Sequence, residues 1–409
     1  LKKKYNISTK NFFLASGLVS GGLSNFWGAG LETPDSNYLK KYSFGKAILK
    51  EQNSINKELK LNKRKFSFFD FFFKKEIIKK MLKKKYSSIY FSKFLPAIEQ
   101  FNKKKLTIND YNNVDLLSSY NKSIYNSKAQ ILNLLKQKNF IYIPNTFVAN
   151  VKKKRTYELV TDNKKKLNIK FNKIIISTGT VGSTILVDRI LKCSGKYRLF
   201  HTPMLKIMYF SFFLPYKIRS KINFSLPLLN LNIHIKKEKF LGSLMYLNNI
   251  SNSFFGISKF NFLFSLFKKI MFVGNIFLPS SYSKTFINVR NNKTLIYSNN
   301  NFNQKEFVFT LRKKLNSFLS QFSLFEFFMQ NLKFLENGSD AHYTSTLEQK
   351  YINGKKLLSN NCELYKYKNV HIIDGSSIKP GLHYPTYFLM LYARHISKKI
   401  IINDKKNKN

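Results

Sequence analysis

Apolar and polar positions alternate with a strand-like period from residue 139 onward, which predicts strands at Phe140–Ile143, 145–151, 155–160 and 167–171, with a turn at Asp162-Asn163 between two of them. The stretch closes on Ile174-Ile175-Ile176 and the turn Ser177-Thr178-Gly179. Ile185, Leu186, Val187, Ile190 and Leu191 follow at helical spacing. An apolar strand running through a glycine turn into a helix is the parallel crossover of an α/β domain, and ligands collect at such strand ends. Upstream, residues 45–138 are Lys-rich and aromatic, with helix-like spacing in 66–85 and 123–137. Phe68, Phe71 and Phe72 stand at i, i+3 and i+4 there, and the region predicts a mostly helical insertion or lid. Downstream, strand-like runs at Ile207–Phe213, Leu229–Ile235, Phe286–Arg290 and Thr294–Ser298 surround one helical stretch, Lys305–Phe325. They predict a second, mainly antiparallel domain over 195–335, and the strand and helix after Lys368 return to the first. The expectation is an α/β protein with an α+β second domain. Its first domain is discontinuous over 1–44, 139–194 and 336–409, with the insertion at 45–138.

Composition adds limits. The 409 residues are 44% hydrophobic, ample for a core, and the net charge is +50 from 71 basic and 21 acidic residues. Lys, Asn, Ile, Phe and Tyr are raised together, as a skewed base composition produces, and the lysines are scattered along the chain. No helix-turn-helix, zinc-finger or RNA-binding motif accompanies the charge, so nucleic acid is not an expected partner. Attraction to phosphorylated substrates or to an anionic membrane surface stays open. Two cysteines, Cys193 and Cys362, make neither a disulfide framework nor a CxxC site, which points to a reducing, cytoplasmic setting. Phe12-Phe13-Leu14-Ala15 behind three lysines is too short for an export signal. No apolar run reaches the roughly 20 residues of a membrane span; the most apolar region, 260–279, is broken by Asn261, Lys268, Lys269 and Asn275.

Candidate chemistry lies at the two ends of the chain. Residues 11–34 hold five glycines, and the run Gly21-Gly22-Leu23-Ser24-Asn25-Phe26-Trp27 offers backbone N–H groups free to approach a ligand closely. Near the C-terminus, His342 and His383 stand 41 residues apart on either side of the apolar strand that ends in Asp374-Gly375. That spacing can bring two imidazoles to one spot beside a strand end. His201, His234, His371 and His395 have no such setting and read as structural. Trp27, the single tryptophan, suits core packing and ligand packing equally.

Taken together, these segments resemble the glucose–methanol–choline family of flavin-dependent oxidoreductases, nearest its pyranose oxidase-like branch. The Gly21 to Trp27 run resembles the family's Gly-Gly-x-Ser-x-x-Trp loop on the flavin. Ile174 to Thr184 resembles the strand-turn-helix that closes the flavin domain, and His342 to Thr346 resembles His-x-x-Gly-Thr, with Ser345 in place of glycine. Asp374-Gly375-Ser376 with His383-Tyr384-Pro385-Thr386 resembles the closing signature.

The resemblance implies an FAD-dependent oxidoreductase acting on the CH–OH group of an alcohol or sugar, more as a dehydrogenase than as an oxidase, with an unspecified electron acceptor. His342 would be the base and His383 its partner on the substrate oxygen. Gly21, Gly22, Ser24, Asn25, Trp27, Val148, Gly179, Asp374, Gly375 and Thr386 would hold the cofactor. Phe26 occupies the place of the branch's flavin-linking histidine, so the FAD is expected to be non-covalent. The family's Gly-x-Gly-x-x-Gly element is missing, which together with the initial Leu predicts an N-terminally shortened chain. The competing expectation is a degenerate flavoprotein without catalysis, acting as a basic binding protein.

Overall fold

The computed structural model describes residues 1–28, 30–58, 75–83, 88–97, 125, 127–153, 156–162, 171–211, 227–235, 238–246, 271–299, 304–326 and 332–406. Phe68, Phe71 and Phe72 lie outside these residues, as does most of the strand expected at 167–171. Two sheets dominate a mixed α/β architecture.

The smaller sheet has four strands in the order β1 (Ile7–Lys10), β12 (Lys293–Ser298), β11 (Thr285–Arg290) and β6 (Lys196–Leu199). β1 runs parallel to β12, while β11 is antiparallel to both its neighbours. Inward residues alternate with exposed ones along β11 and β12, the expected pattern for a sheet wet on one face. Ile287, Val289 and Ile296 share a core with helix α6 (Thr180–Leu191) and with the parallel pair β5 (Ile174–Ile176) and β17 (Val370–Ile372). Ten of the 12 α6 residues are buried, so this helix is enclosed on nearly every side, its buried Thr180, Ser183, Thr184 and Asp188 hydrogen-bonded within the core. The hairpins β3 (Val148–Lys153)/β4 (Tyr157–Thr161) and β15 (Tyr351–Ile352)/β16 (Lys355–Lys356) flank this half.

The larger sheet runs β13 (Phe325–Glu326), β7 (Met204–Phe210), β10 (Met271–Phe277), β9 (Glu238–Tyr246), β8 (Leu229–Ile235), β2 (Ile89–Lys93), with β14 (Lys333–Phe334) also on β7. All its pairings are antiparallel. On one face Leu205, Ile207, Leu231, Ile233, Leu244 and Ile276 share a core with Leu311, Leu315 and Phe318 of α7 (Gln304–Leu319). The same core takes in the last helix, α8 (Pro385–Lys406), through Tyr387, Phe388, Leu391, Tyr392, Ile396 and Ile400, whose spacing of one, three and four lines one side. Glu51 of α3 (Gly45–Glu58) pairs with Arg394 and Lys398 and ties α3 across α8. The remaining helices are α1 (Lys2–Tyr5), α2 (Ser36–Leu39), α4 (Lys75–Lys83) and α5 (Ser127–Leu134).

The strand expected at Phe140–Ile143 is extended loop instead. Ile141 is 80% exposed, and among the described residues no strand pairs with this segment, so its apolar character is not used in a ladder there. Within the 45–138 insertion, Ile89–Lys93 is a strand of the large sheet rather than helix. No helix among the described residues is long and apolar enough to cross a membrane.

Candidate functional site

His342 follows the Gly338 turn, and His383 lies just before α8, so chain folding carries the two imidazoles to the same wall of the large sheet. Phe277, at the end of β10, puts its ring 5.0 Å from that of His342 and 5.3 Å from that of Tyr384, which stands edge-on 6.0 Å from His342. Both imidazoles are half-buried and held neutral. For His342, burial lowers the pKa and the nearby His201 adds to this, against the opposing Asp340 carboxylate. For His383, burial is again the main cause, reinforced by the charges of Lys239 and His342, and the pKa falls to about 4. The Nε2 of His383 is buried without a hydrogen-bond partner.

The sheet face behind them is polar. Lys206, Asn275, Ser243, Asn230 and Ser92 stand opposite one another on β7, β10, β9, β8 and β2, one cross-strand row two positions from Phe277 on its own face. Ser243 Oγ donates to Asn275 Oδ1 at 2.7 Å, and Asn230 Nδ2 donates to the Glu32 carboxyl. Burial raises the Glu32 pKa, against the Asn230 hydrogen bond and the Lys239 charge. Asn230 Oδ1 is buried without a partner, and the buried Tyr384 hydroxyl lies against Ser243 and near Glu32. Nothing in the sequence marked Glu32, Asn230, Asn275 or Ser243, because the row of Asn275, Ser243 and Asn230 exists only once β10, β9 and β8 are paired, and Glu32 reaches it from a loop.

Behind His342 lies a second cluster that sequence reasoning also missed. His201 Nδ1 is 2.9 Å from Asp340 Oδ1, with side chains 0% and 1% exposed. Asp340 Oδ2 accepts from the backbone N–H of Thr202 at 3.0 Å and of His342 at 3.1 Å. His201 is thus buried in a hydrogen-bonded pair with Asp340, whose other oxygen reaches the His342 backbone. His234 stacks on Tyr90, His371 Nδ1 lies 3.0 Å from the Asn361 carbonyl, and His395 stacks on Phe44; these three stay clear of the pair.

The expected cofactor residues fall into three places. Gly21 (φ 90°) and Gly22 (φ 55°) take left-handed conformations and open a short 3₁₀ turn, Gly22–Phe26. Ser24 Oγ, 2.6 Å from Ser127 Oγ, ties the turn to α5; within the loop Asn25 Nδ2 donates to the Ser20 carbonyl at 2.9 Å, and Trp27 Nε1 donates to the Tyr125 carbonyl, just before α5, at 2.8 Å. A Cβ at Gly22 would meet nothing within 4 Å, whereas one at Gly21 would strike Asn25.

At the second place, Gly179 (φ 80°) caps α6, again with open space where a side chain would stand. The Asp374 carboxylate is engaged there: Oδ1 accepts from the Ser376 N–H at 2.9 Å and Oδ2 from Ser183 Oγ. Burial raises its pKa, while hydrogen bonds from Ser183, Ser376 and the Gly179 N–H oppose this. Asp374 thus joins the end of β17 to the start of α6. Gly375 is demanded by close approach, since a Cβ would stand 2.3 Å from Thr180 Oγ1 and 2.7 Å from the Tyr343 carbonyl.

At the third place Pro385 opens α8, as its fixed φ favours, with Thr386 in the first turn beside His383. Val148 sits apart from these at the start of β3, half-buried opposite Thr161. Among the described residues no group of three or more His, Cys, Asp or Glu side chains is placed to hold a metal ion.

No protein-family model and no curated protein sequence matches this chain. Solved structures do align with it. One is a formate oxidase of Aspergillus oryzae RIB40, studied for the effect of a mutation on FAD modification, at 11% identity and TM-score 0.47, covering 68% of this chain and 63% of that one. Another is pyridoxine 4-oxidase from Mesorbium loti, at 12% identity and TM-score 0.43, covering 64% and 58%. The chain spans less than two thirds of the length of either structure.

Proposed function

We propose that this protein is an FAD-dependent oxidoreductase that acts on the CH–OH group of an alcohol or sugar, with His342 and His383 as its acid–base pair. The carrying observation is their convergence, both uncharged, on one wall built from Phe277, Tyr384 and the polar row of the large sheet. A neutral imidazole has a lone pair for a hydroxyl proton at working pH, which a charged one lacks. His342 takes that proton; His383, with its unpartnered Nε2, holds the substrate oxygen. The row Asn275, Ser243 and Asn230 offers amide and hydroxyl groups suited to a substrate with further hydroxyls.

The residues present fit a flavin. Positive-φ glycines with open space at Gly22 and Gly179 leave backbone N–H groups approachable, and the first turn of α8 presents N–H groups beside the histidines. When bound, the flavin supplies the hydride acceptor. The Asp374 side chain is already satisfied, so at this strand end the backbone is what meets the cofactor. Attachment is non-covalent, since a phenylalanine at position 26 has no nucleophilic atom.

Titration with FAD, followed by the fluorescence of Trp27 and by co-elution of flavin colour on gel filtration, tests the reading. Saturable quenching with a yellow protein peak is expected. A colourless protein with unchanged fluorescence would show instead a degenerate relative that has lost its cofactor.

A further inference from the structure

We infer that Thr202 and Asp340 fix His342 as the Nδ1–H tautomer, with a bare Nε2, and that His201 is the positioning residue that holds Asp340 for this task. Thr202 Oγ1 lies 3.2 Å from Asp340 Oδ2 and 3.3 Å from His342 Nδ1. It has one proton for two neighbours. Burial pushes the Asp340 carboxyl up, but the His201 imidazole beside it, with His342 and the Thr202 N–H, outweighs this and keeps it ionised. An ionised carboxylate only accepts, so the Thr202 proton must point to Asp340; the reverse choice would face two sets of lone pairs across 3.2 Å. The Thr202 lone pair then faces His342 Nδ1, which makes a hydrogen bond only as a donor. The proton sits on Nδ1, and Nε2 is left free.

His201 closes the arrangement from behind. Its Nδ1 occupies Asp340 Oδ1, while its Nε2 lies 3.1 Å from Thr285 Oγ1, which reaches Ser298 Oγ at 2.9 Å. With Oδ1 occupied, Oδ2 is reserved for Thr202 and for the His342 N–H. The ring of Phe12, edge-on 5.6 Å from His201, seals the far side. Free imidazole prefers the opposite tautomer, so without this chain of contacts the proton would return to Nε2, the nitrogen a base needs empty.

This inference rests on reading His342 as the base, but its test needs neither flavin nor substrate. The full chain is labelled with ¹⁵N-histidine, His342 is assigned through H342Q, and long-range ¹H–¹⁵N spectra at neutral pH report which nitrogen carries the proton. The expected result is a pyrrole-type Nδ1 and a pyridine-type Nε2, with the Nδ1–H form in roughly 2- to 10-fold excess, as one neutral hydrogen bond supplies. T202V should abolish that excess, T202S should restore it, and H201Q should reduce it. A protonated Nε2 in the unmodified chain overturns the inference whether or not the variants fold. An unchanged pattern in T202V overturns it as well. Failure to bind FAD with the Nδ1–H form intact would instead refute the function and leave the tautomer assignment standing.

Discussion

At the scale of single residues, the site carries two measurable costs. Ser345 takes φ 69° with its buried hydroxyl unpartnered, in a position where the related motif has glycine. A left-handed non-glycine residue costs roughly 1–2 kcal/mol, partly offset by the flexibility glycine brings to the unfolded chain. S345G is therefore expected to stabilise the protein by about 1 kcal/mol, read as a rise in the urea midpoint. His383 has the second cost. Its folded pKa of about 4 lies below its ordinary value of 6.5, so the unfolded chain takes up the proton first. Stability present above pH 6.5 is lost as the pH falls toward 4, by up to about 3 kcal/mol. H383Q should lose less over the same interval, and equal losses in both proteins would show that His383 is not held neutral by the fold. At this scale the sequence singled out His342 and His383 as candidates through their motif. Asp340 was visible in the same stretch, but its partners His201 and Thr202 lie nearly 140 positions away, a distance no local pattern spans.

Among elements, the junction of β17 with the N-terminus of α6 is closely packed. Thr180 Oγ1 donates to the Tyr343 carbonyl at 2.6 Å across the space that a Gly375 side chain would need. G375A should destabilise by about 1–3 kcal/mol through overpacking, and T180A should relieve part of this in the double variant. Additive urea midpoints would contradict the contact. The local signals of this half were strong: β5 with its glycine turn, α6 and the start of α8 were all legible, because strand, turn and cap chemistry is encoded in adjacent residues. β8, β11 and β12 were legible from alternation. β1 was not, since its partner β12 is more than 280 residues away, and β9 and β10 were hidden by Gly242, Gly274 and Asn275. Those glycines are needed where backbones approach: a Cβ at Gly274 would stand 1.8 Å from the Ser243 carbonyl oxygen. The residues that weakened the strand signal are those that let the strands pack behind the polar row.

For the whole molecule, the net charge of +50 and the folded site are separate matters. Around His342 and His383 the charged side chains are Asp340, which bears on His342, and Lys239 with Asp35, 3.8 Å apart, which bear on His383. The positive surface therefore favours anionic partners in general without defining the chemistry. That chemistry rests on two halves of the chain meeting. On the proposed function, Gly179 at the start of α6 and the Gly21-Gly22 turn beside α5 are the glycine turns offered to a flavin, and the large sheet is the wall against which His342 and His383 would face a substrate. The most direct test is the anaerobic bleaching of FAD-loaded protein by a panel of alcohols and sugars, compared with H342N and H383N loaded to the same extent. The account predicts bleaching by at least one donor, slowed about 10²–10⁴-fold in H342N and markedly in H383N with the flavin still bound. Bleaching at equal rates in all three proteins would contradict it.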